Sequence, residues 1–304
     1  MQVWSSVAKR FAFENEAASE ELRTARGAVS LGVTLEQTDK RAYLVARFGW
    51  RALGLDLSLE LRERRFYEGF VDDEIELGVQ AVLDRLRVRG REAVQTRLFL
   101  HDGALLEALA WFEQGEFDDA GGVVRARGDG SEVKQFADFV ARAVSVAGGF
   151  DRAIRERLTP PREMTGFVDA WRAFVERSDA ELEIGRMRVH GGMLRGRRFE
   201  IVTRFRTGVA ASDASDRIDA TVLSVALDRP IEAGELAERP PHVRSLADEI
   251  EKRCVELRVG PEQVEATLSG ALPDPTAIEP LLDSMVRLSL ALGGRRGHGA
   301  YRTA

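Results

Sequence analysis

The densest run of chemistry-bearing side chains lies between residues 186 and 206. It holds Arg186, Arg188, Arg195, Arg197, Arg198, Arg204 and Arg206 against a single acid, Glu200. Guanidinium groups are planar, multiply donating and always charged, which suits them to phosphate and carboxylate. Residues 198–206 alternate as a strand does. Phe199, Ile201, Thr203 and Phe205 point one way, and Arg198, Glu200, Val202, Arg204 and Arg206 the other. With residues 182–189 as hairpin partner, Arg186 and Arg188 share one face of that strand. The expectation is an arginine-rich sheet face, with Arg186, Arg188, Arg198, Arg204 and Arg206 as candidate anion-binding residues. Its ligands would be nucleic-acid phosphates, an anionic membrane surface or an acidic protein. No aromatic residue is interleaved on the basic side, so stacking of single-stranded bases is not indicated. The plainer alternative is a solvated face balanced by carboxylates such as Asp213, Asp216 and Asp219.

The remaining reactive residues do not assemble into a motif. The four histidines, His101, His190, His242 and His298, are not within metal-ligand spacing of one another or of Cys254. His101-Asp102-Gly103 reads as a turn with Asp102 capping the next helix, and His190-Gly191-Gly192 as a hairpin turn. Cys254 falls on an apolar stripe with Leu246, Ile250 and Leu257, so it reads as a small buried hydrophobe. Asp72-Asp73-Glu74 suits a helix N-terminus, and Glu116–Asp119 reads as a solvated turn. The glycine pairs at 121, 148, 191 and 293 form neither a dinucleotide fingerprint nor a lysine-bearing phosphate loop. No catalytic residue, cofactor or metal is therefore expected.

Composition frames these residues. The chain has 304 residues, 44% of them apolar and 31% charged, with a formal net charge of −6. That length suggests about two domains. Forty of the 44 basic residues are arginine, with lysine only at positions 9, 40, 134 and 252. The single cysteine excludes an intrachain disulfide and favours a reducing compartment. Residues 1–26 carry Lys9, Arg10, Glu14, Glu16, Glu20, Glu21 and Arg23 without the apolar run of an export signal. A cytoplasmic protein with no transmembrane segment is expected.

The elements that must position these residues occur in the same order twice. Each half opens with a tryptophan-bearing helix, carrying Trp4, Val7, Ala8 and Phe11 in the first and Phe167, Ala170, Trp171, Phe174 and Val175 in the second. Strands follow over 28–35, 43–48 and 55–61, and over 182–189, 198–206 and 218–227. Leu55, Leu57, Leu59 and Leu61 alternate with polar residues, as in a strand with one wet face. Each half then has a helix, a short strand pair and a closing helix. The closing helices end in Gly148-Gly149 and Gly293-Gly294, the usual C-cap residue. The first half has additional helical pattern over 75–88 and 93–112. Turn candidates are 37–40, 49–54 and 212–215.

The expected fold is α+β, with two tandem, duplicated units, each an antiparallel sheet with helices on one face. The units would span 1–158, with a helical insertion around 75–112, and 162–292. The prolines at 160 and 161 break the chain between them, and 293–304 forms a flexible tail. The expected function is a non-enzymatic binding or scaffold protein whose two modules serve a protein partner or self-association. The alternatives are an anion-directed module using the arginine face, and an enzyme whose site lies in the cleft between the units. For the enzyme, His101, Asp102, His190 and His242 are the first residues to test.

Overall fold

In the first half, alternation of apolar residues sends Val29, Leu31 and Val33, then Leu44, Ala46 and Phe48, to one side of adjoining strands. They meet a helix whose buried residues, Phe136, Phe139, Val140, Ala143, Val146, Ala147 and Phe150, recur every three or four positions. The computed structural model describes residues 2–13, 21–37, 41–61, 74–77, 85–205, 218–231, 240–270 and 274–293. The protein is α+β, with two antiparallel sheets and, among the described residues, seven α-helices. The chain divides into two compact units, the first running to Pro160 and the second beginning at Pro161.

The first unit opens with α1 (Gln2–Phe11), followed by the meander β1 (Glu21–Arg26), β2 (Val29–Gln37) and β3 (Ala42–Gly49). Next come β4 (Ser58–Leu61), β5 (Leu86–Arg89), α2 (Ala93–Phe99) and α3 (Gly103–Ala110). A hairpin, β6 (Gln114–Asp118) and β7 (Gly121–Arg127), leads into the long closing helix α4 (Val133–Glu156). The strand order is β1-β2-β3-β7-β6-β4-β5. One hydrophobic core joins the inner face of this sheet to all four helices. Trp4 of α1 packs on Phe136 with ring centroids 4.3 Å apart, and Trp50 on Phe150 at 4.7 Å.

The second unit opens with a 3-10 turn and α5 (Val168–Arg177), then β8 (Glu181–Glu183), β9 (Arg188–Leu194), β10 (Arg197–Phe205) and β11 (Ile218–Ala226). Helix α6 (Pro241–Glu251), the hairpin β12 (Glu256–Val259) and β13 (Gln263–Ser269), and the closing helix α7 (Glu279–Gly293) complete it. The strand order is β12-β13-β11-β10-β9-β8. Trp171, Phe174, Phe199, Ile201, Leu223, Val225, Ile250, Met285 and Leu288 belong to its separate core.

Both units contain a three-strand meander, a helix and a returning hairpin. In both, the second hairpin strand pairs with the third meander strand: β3 with β7, and β11 with β13. A closing-helix aspartate also reaches the first meander turn in each, at different helix registers. The Ala28 N–H donates to Asp151 Oδ1 at 2.9 Å, and Arg195 pairs with Asp283 at 2.8 Å. Each aspartate also pairs with an arginine one helical turn later, Arg155 and Arg287.

Several local expectations are corrected. Residues 86–89 are a strand rather than helix, because they pair with β4. The regular strand of the Leu55–Leu61 run begins only at Ser58, because Asp56 adopts φ +51°. Helix α4 passes through Gly148 and Gly149 to Glu156, so these glycines are not its cap. Gly149 instead admits α3, since a Cβ there would stand 2.9 Å from Leu105 Cδ1. His190-Gly191-Gly192 lies inside β9, not at a turn. The two-residue turn is Arg195-Gly196, at φ +50° and +78°, the left-handed geometry that matches strand twist. Cys254 lies beyond the end of α6, half-buried against the second core. The turn candidates at 38–40 and 212–215, and the tail from 294, lie outside the described residues.

Gly192 has a packing role instead. It faces Phe199 across the β9–β10 ladder, and a Cβ there would sit 2.3 Å from the ring. Gly192→Ala must displace a fully buried phenyl ring. It should lower unfolding free energy by about 1–3 kcal/mol, measured by urea denaturation, whereas Gly166→Ala, with open space at its Cβ, should change it by well under about 1 kcal/mol.

Candidate functional site

The inner positions of β10, Phe199, Ile201 and Thr203, are buried, which turns Arg198, Glu200, Val202 and Arg204 to the outer face of the six-stranded sheet. A one-residue bulge in β9 opposite Glu200, with Gly191 at φ +71°, keeps Val189 on the core side and Arg188 and His190 on the outer one. Edge strand β8 adds Glu181 opposite His190 and Glu183 opposite Arg188.

The candidate arginines therefore meet different surroundings. Arg188 donates through Nε to Glu200 Oε1 at 2.7 Å and lies 3.5 Å from Glu183 Oε1. Burial lowers the affinity of Arg188 for its proton, but Glu200 and Glu183 more than offset this and hold its pKa above the ordinary value. His190 Nε2 lies 3.5 Å from Glu183 and 3.8 Å from Glu181. Arg186 sits in the turn before β9 rather than on the strand. Burial, with the Arg188 charge beside it, pulls its pKa below the usual arginine range. Arg198 and Arg204 are exposed and make no ion pair among the described residues. Six residues of strand separate them, about 20 Å. Arg206 and the side chains of Asp213, Asp216 and Asp219 lie outside the described residues.

The carboxylates that meet these arginines are thus partly unforeseen. Arg197 is buried and pairs with Asp228, and Arg195 pairs with Asp283. The Glu181-Leu182-Glu183 alternation was the available signal for an acidic row beside Arg188. What required the fold was the choice of Asp228 and Asp283, 31 and 88 positions from Arg197 and Arg195 in the chain.

Two acidic features resolve into structural roles. Asp102 caps α3, accepting from the N–H groups of Ala104 and Leu105 at 3.0 and 3.2 Å. Burial pushes its carboxyl up, but the Leu105 N–H, Arg152 and Arg157 outweigh that and hold it below the usual carboxylate range. Glu116 and Phe117 belong to β6 rather than to a solvated turn, and Asp119 follows it facing inward. Its Oδ1 accepts from Leu55 and Leu57 at 3.2 and 2.8 Å, and its Oδ2 from Asp56 at 2.9 Å. Three successive N–H groups thus form a concave nest around one carboxylate, which explains the left-handed Asp56. Burial raises the Asp119 pKa against these donors and Arg91, whose own pKa burial lowers to about 10.

His101 is exposed at the turn before α3 and His242 at the start of α6, while His298 lies outside the described residues. Burial also raises the Cys254 thiol, aided by the Glu251 charge. A depression of about 490 Å³ in the second unit is lined by Arg253, Leu268, Ala277, Ile278, Pro280 and Leu281. Among the described residues, no group of three His, Cys, Asp or Glu is placed to hold a metal, and no helix is long and apolar enough to cross a membrane.

No family model and no curated protein matches the chain. It is similar over 51% of its length to the crystal structure of the mycobacterial trehalose monomycolate transport factor A, TtfA. That match covers 93% of the TtfA chain at 15% identity with a TM-score of 0.27, a likeness that carries no argument.

The Asp119 nest makes a graded prediction. Asp119→Ala strands three N–H donors and should cost about 2–4 kcal/mol. Asp119→Asn keeps an oxygen for Leu55 and Leu57 and should cost less than half as much. Chemical denaturation of both variants distinguishes this from a solvated turn, where neither substitution would matter.

Proposed function

We propose that the chain is a binding or scaffold protein made of two related modules that arose by duplication and serve a protein partner or self-association. The observation that carries this reading is the shared element order, with the returning hairpin closing against the third meander strand in both units. Setting aside β4–β5 in the first unit and β8 in the second leaves five strands in the same order on each side. The separate cores support it further, since a duplicated fold must bury its own interior each time. The proposed modules span 1–158 and 162–292. Two modules in one chain gain avidity by holding a second contact at high effective concentration. The lone cysteine fits a reducing compartment, and we place the protein in the cytoplasm on that ground.

Affinity purification from the source cells tests the binding role. The full chain should retain a partner at near-stoichiometric amounts, and deletion of either module should weaken retention about tenfold or more. A chain that retains nothing and stays monomeric at high concentration overturns the reading.

Exposed Arg198 and Arg204 favour a second reading, in which the outer sheet face meets an anionic surface. With Arg188 already engaged by Glu200 and Glu183, Arg198 and Arg204 are the exposed candidate arginines left for a ligand among the described residues. Binding to nucleic acid or anionic vesicles should then be weak, with a log–log salt slope of about −2 for duplex DNA. Arg198→Ala with Arg204→Ala should abolish it, and no binding at low salt removes the reading.

A further inference from the structure

Strand β12 is the outer strand of the second sheet, with β13 on one side and no strand on the other among the described residues. The Gly260 N–H donates to the Gln263 C=O at 2.9 Å and sets the ladder's parity. By alternation, Glu256 and Arg258 turn their backbone groups toward β13, while Leu257 and Val259 turn theirs to the open edge; the alternation ends at Val255, whose N–H donates to the Thr267 C=O of β13 at 2.7 Å. On the outer sheet face, Glu256 and Arg258 are exposed and pair with each other at 2.7 Å. Val255, immediately before the strand, is 71% exposed.

This segment is self-complementary. In an antiparallel pairing centred on Leu257, each Glu256 faces the Arg258 of the other copy, and Leu257 faces its own counterpart. The outward N–H and C=O of Leu257 then bond reciprocally, and the core faces of both sheets stay on the same side. Other edge strands fit less well. Edge strand β8 presents two acids and is three residues long, and β5 presents Arg87 and Arg89, of like sign. Strand β1 repeats the triplet as Glu21-Leu22-Arg23, but Leu22 is fully buried. Charged residues on an edge normally discourage pairing with other chains. Here opposite signs two positions apart discourage strangers and admit a second copy.

We propose that β12 docks a second copy of this chain, antiparallel about Leu257, joining the two six-stranded sheets edge to edge. This surface stands on its own geometry and does not need the duplication reading.

Sedimentation of the full chain should show a concentration-dependent dimer of the 33.7 kDa protein. Arg258→Glu places acid opposite acid twice and should weaken dimerisation about tenfold. Adding Glu256→Arg to that variant restores the complementarity and should restore the dimer. Cys254, the only cysteine, permits a register test. With Cys254→Ser, Leu257→Cys places thiols on the two-fold axis with Cα atoms about 5.5 Å apart, within disulfide reach. Mild oxidation should cross-link that variant, while Glu265→Cys in the same background should not. If Leu257→Cys fails to fold, the exposed pair Glu256→Cys and Arg258→Cys tests the same register. A chain that stays monomeric at all concentrations, or a dimer indifferent to Arg258→Glu, overturns the proposal.

Discussion

Each half of this protein depends on one long-range pairing, that of the third meander strand with the second strand of a later hairpin. In the first unit it joins Tyr43–Gly49 to Gly121–Arg127, and in the second Ala220–Ala226 to Gln263–Ser269. Without it, β3 and β11 would be edges with unsatisfied backbone groups, and half of each inner face would lack its continuation. With it, the meander strands that seat the closing helix of the first unit, and β11 and β13 that seat that of the second, become parts of one continuous sheet in each unit. The β4–β5 pair extends the first sheet beyond β6, and β8 extends the second beyond β9. Neither addition interrupts the central pairing, so additions at the margins leave the core arrangement intact.

Charge on the outer face of the second sheet follows the same geometry. Adjacent strands bring Glu183, Arg188 and Glu200 into one row, so alternating sign replaces a uniform basic surface. Side chains opposite one another across a ladder interact most strongly when their charges differ. The arginines that look alike in sequence therefore divide into a buried arginine paired with an exposed aspartate at Arg197, a mixed-charge row at Arg188, a turn residue at Arg186, and two exposed cations at Arg198 and Arg204. Among the described residues this face thus carries two separated, exposed cations beside a compensated row.

The glycines and aspartates near turns mark where elements approach most closely. Gly27 lies at φ +58° against Asp151, so the closing helix of the first unit grips the β1–β2 turn through its backbone. In the second unit the corresponding grip is an ion pair from a side chain, Arg195 to Asp283. The same mechanical task is met by different chemistry, because the turn is Gly-Ala in one and Arg-Gly in the other. The two halves thus share a strand order while differing in the chemistry of this contact.

Local periodicity alone determined the helices around Trp4, Trp171 and Phe136, the strands around Val33, Val45, Ile201 and Leu223, the helix cap at Asp102 and the α+β class, because each is written in the spacing of neighbouring residues. Tertiary structure decided the rest. Leu86–Arg89 is a strand because β4 lies beside it, and Asp119 is inward-facing because three N–H groups await it across the sheet. His190 and Gly191 lie within β9 because β10 runs beside them, and Gly192 is glycine because Phe199 covers it. Each of these depends on which strand lies alongside, and strand partners come from distant segments whose identity no local period encodes.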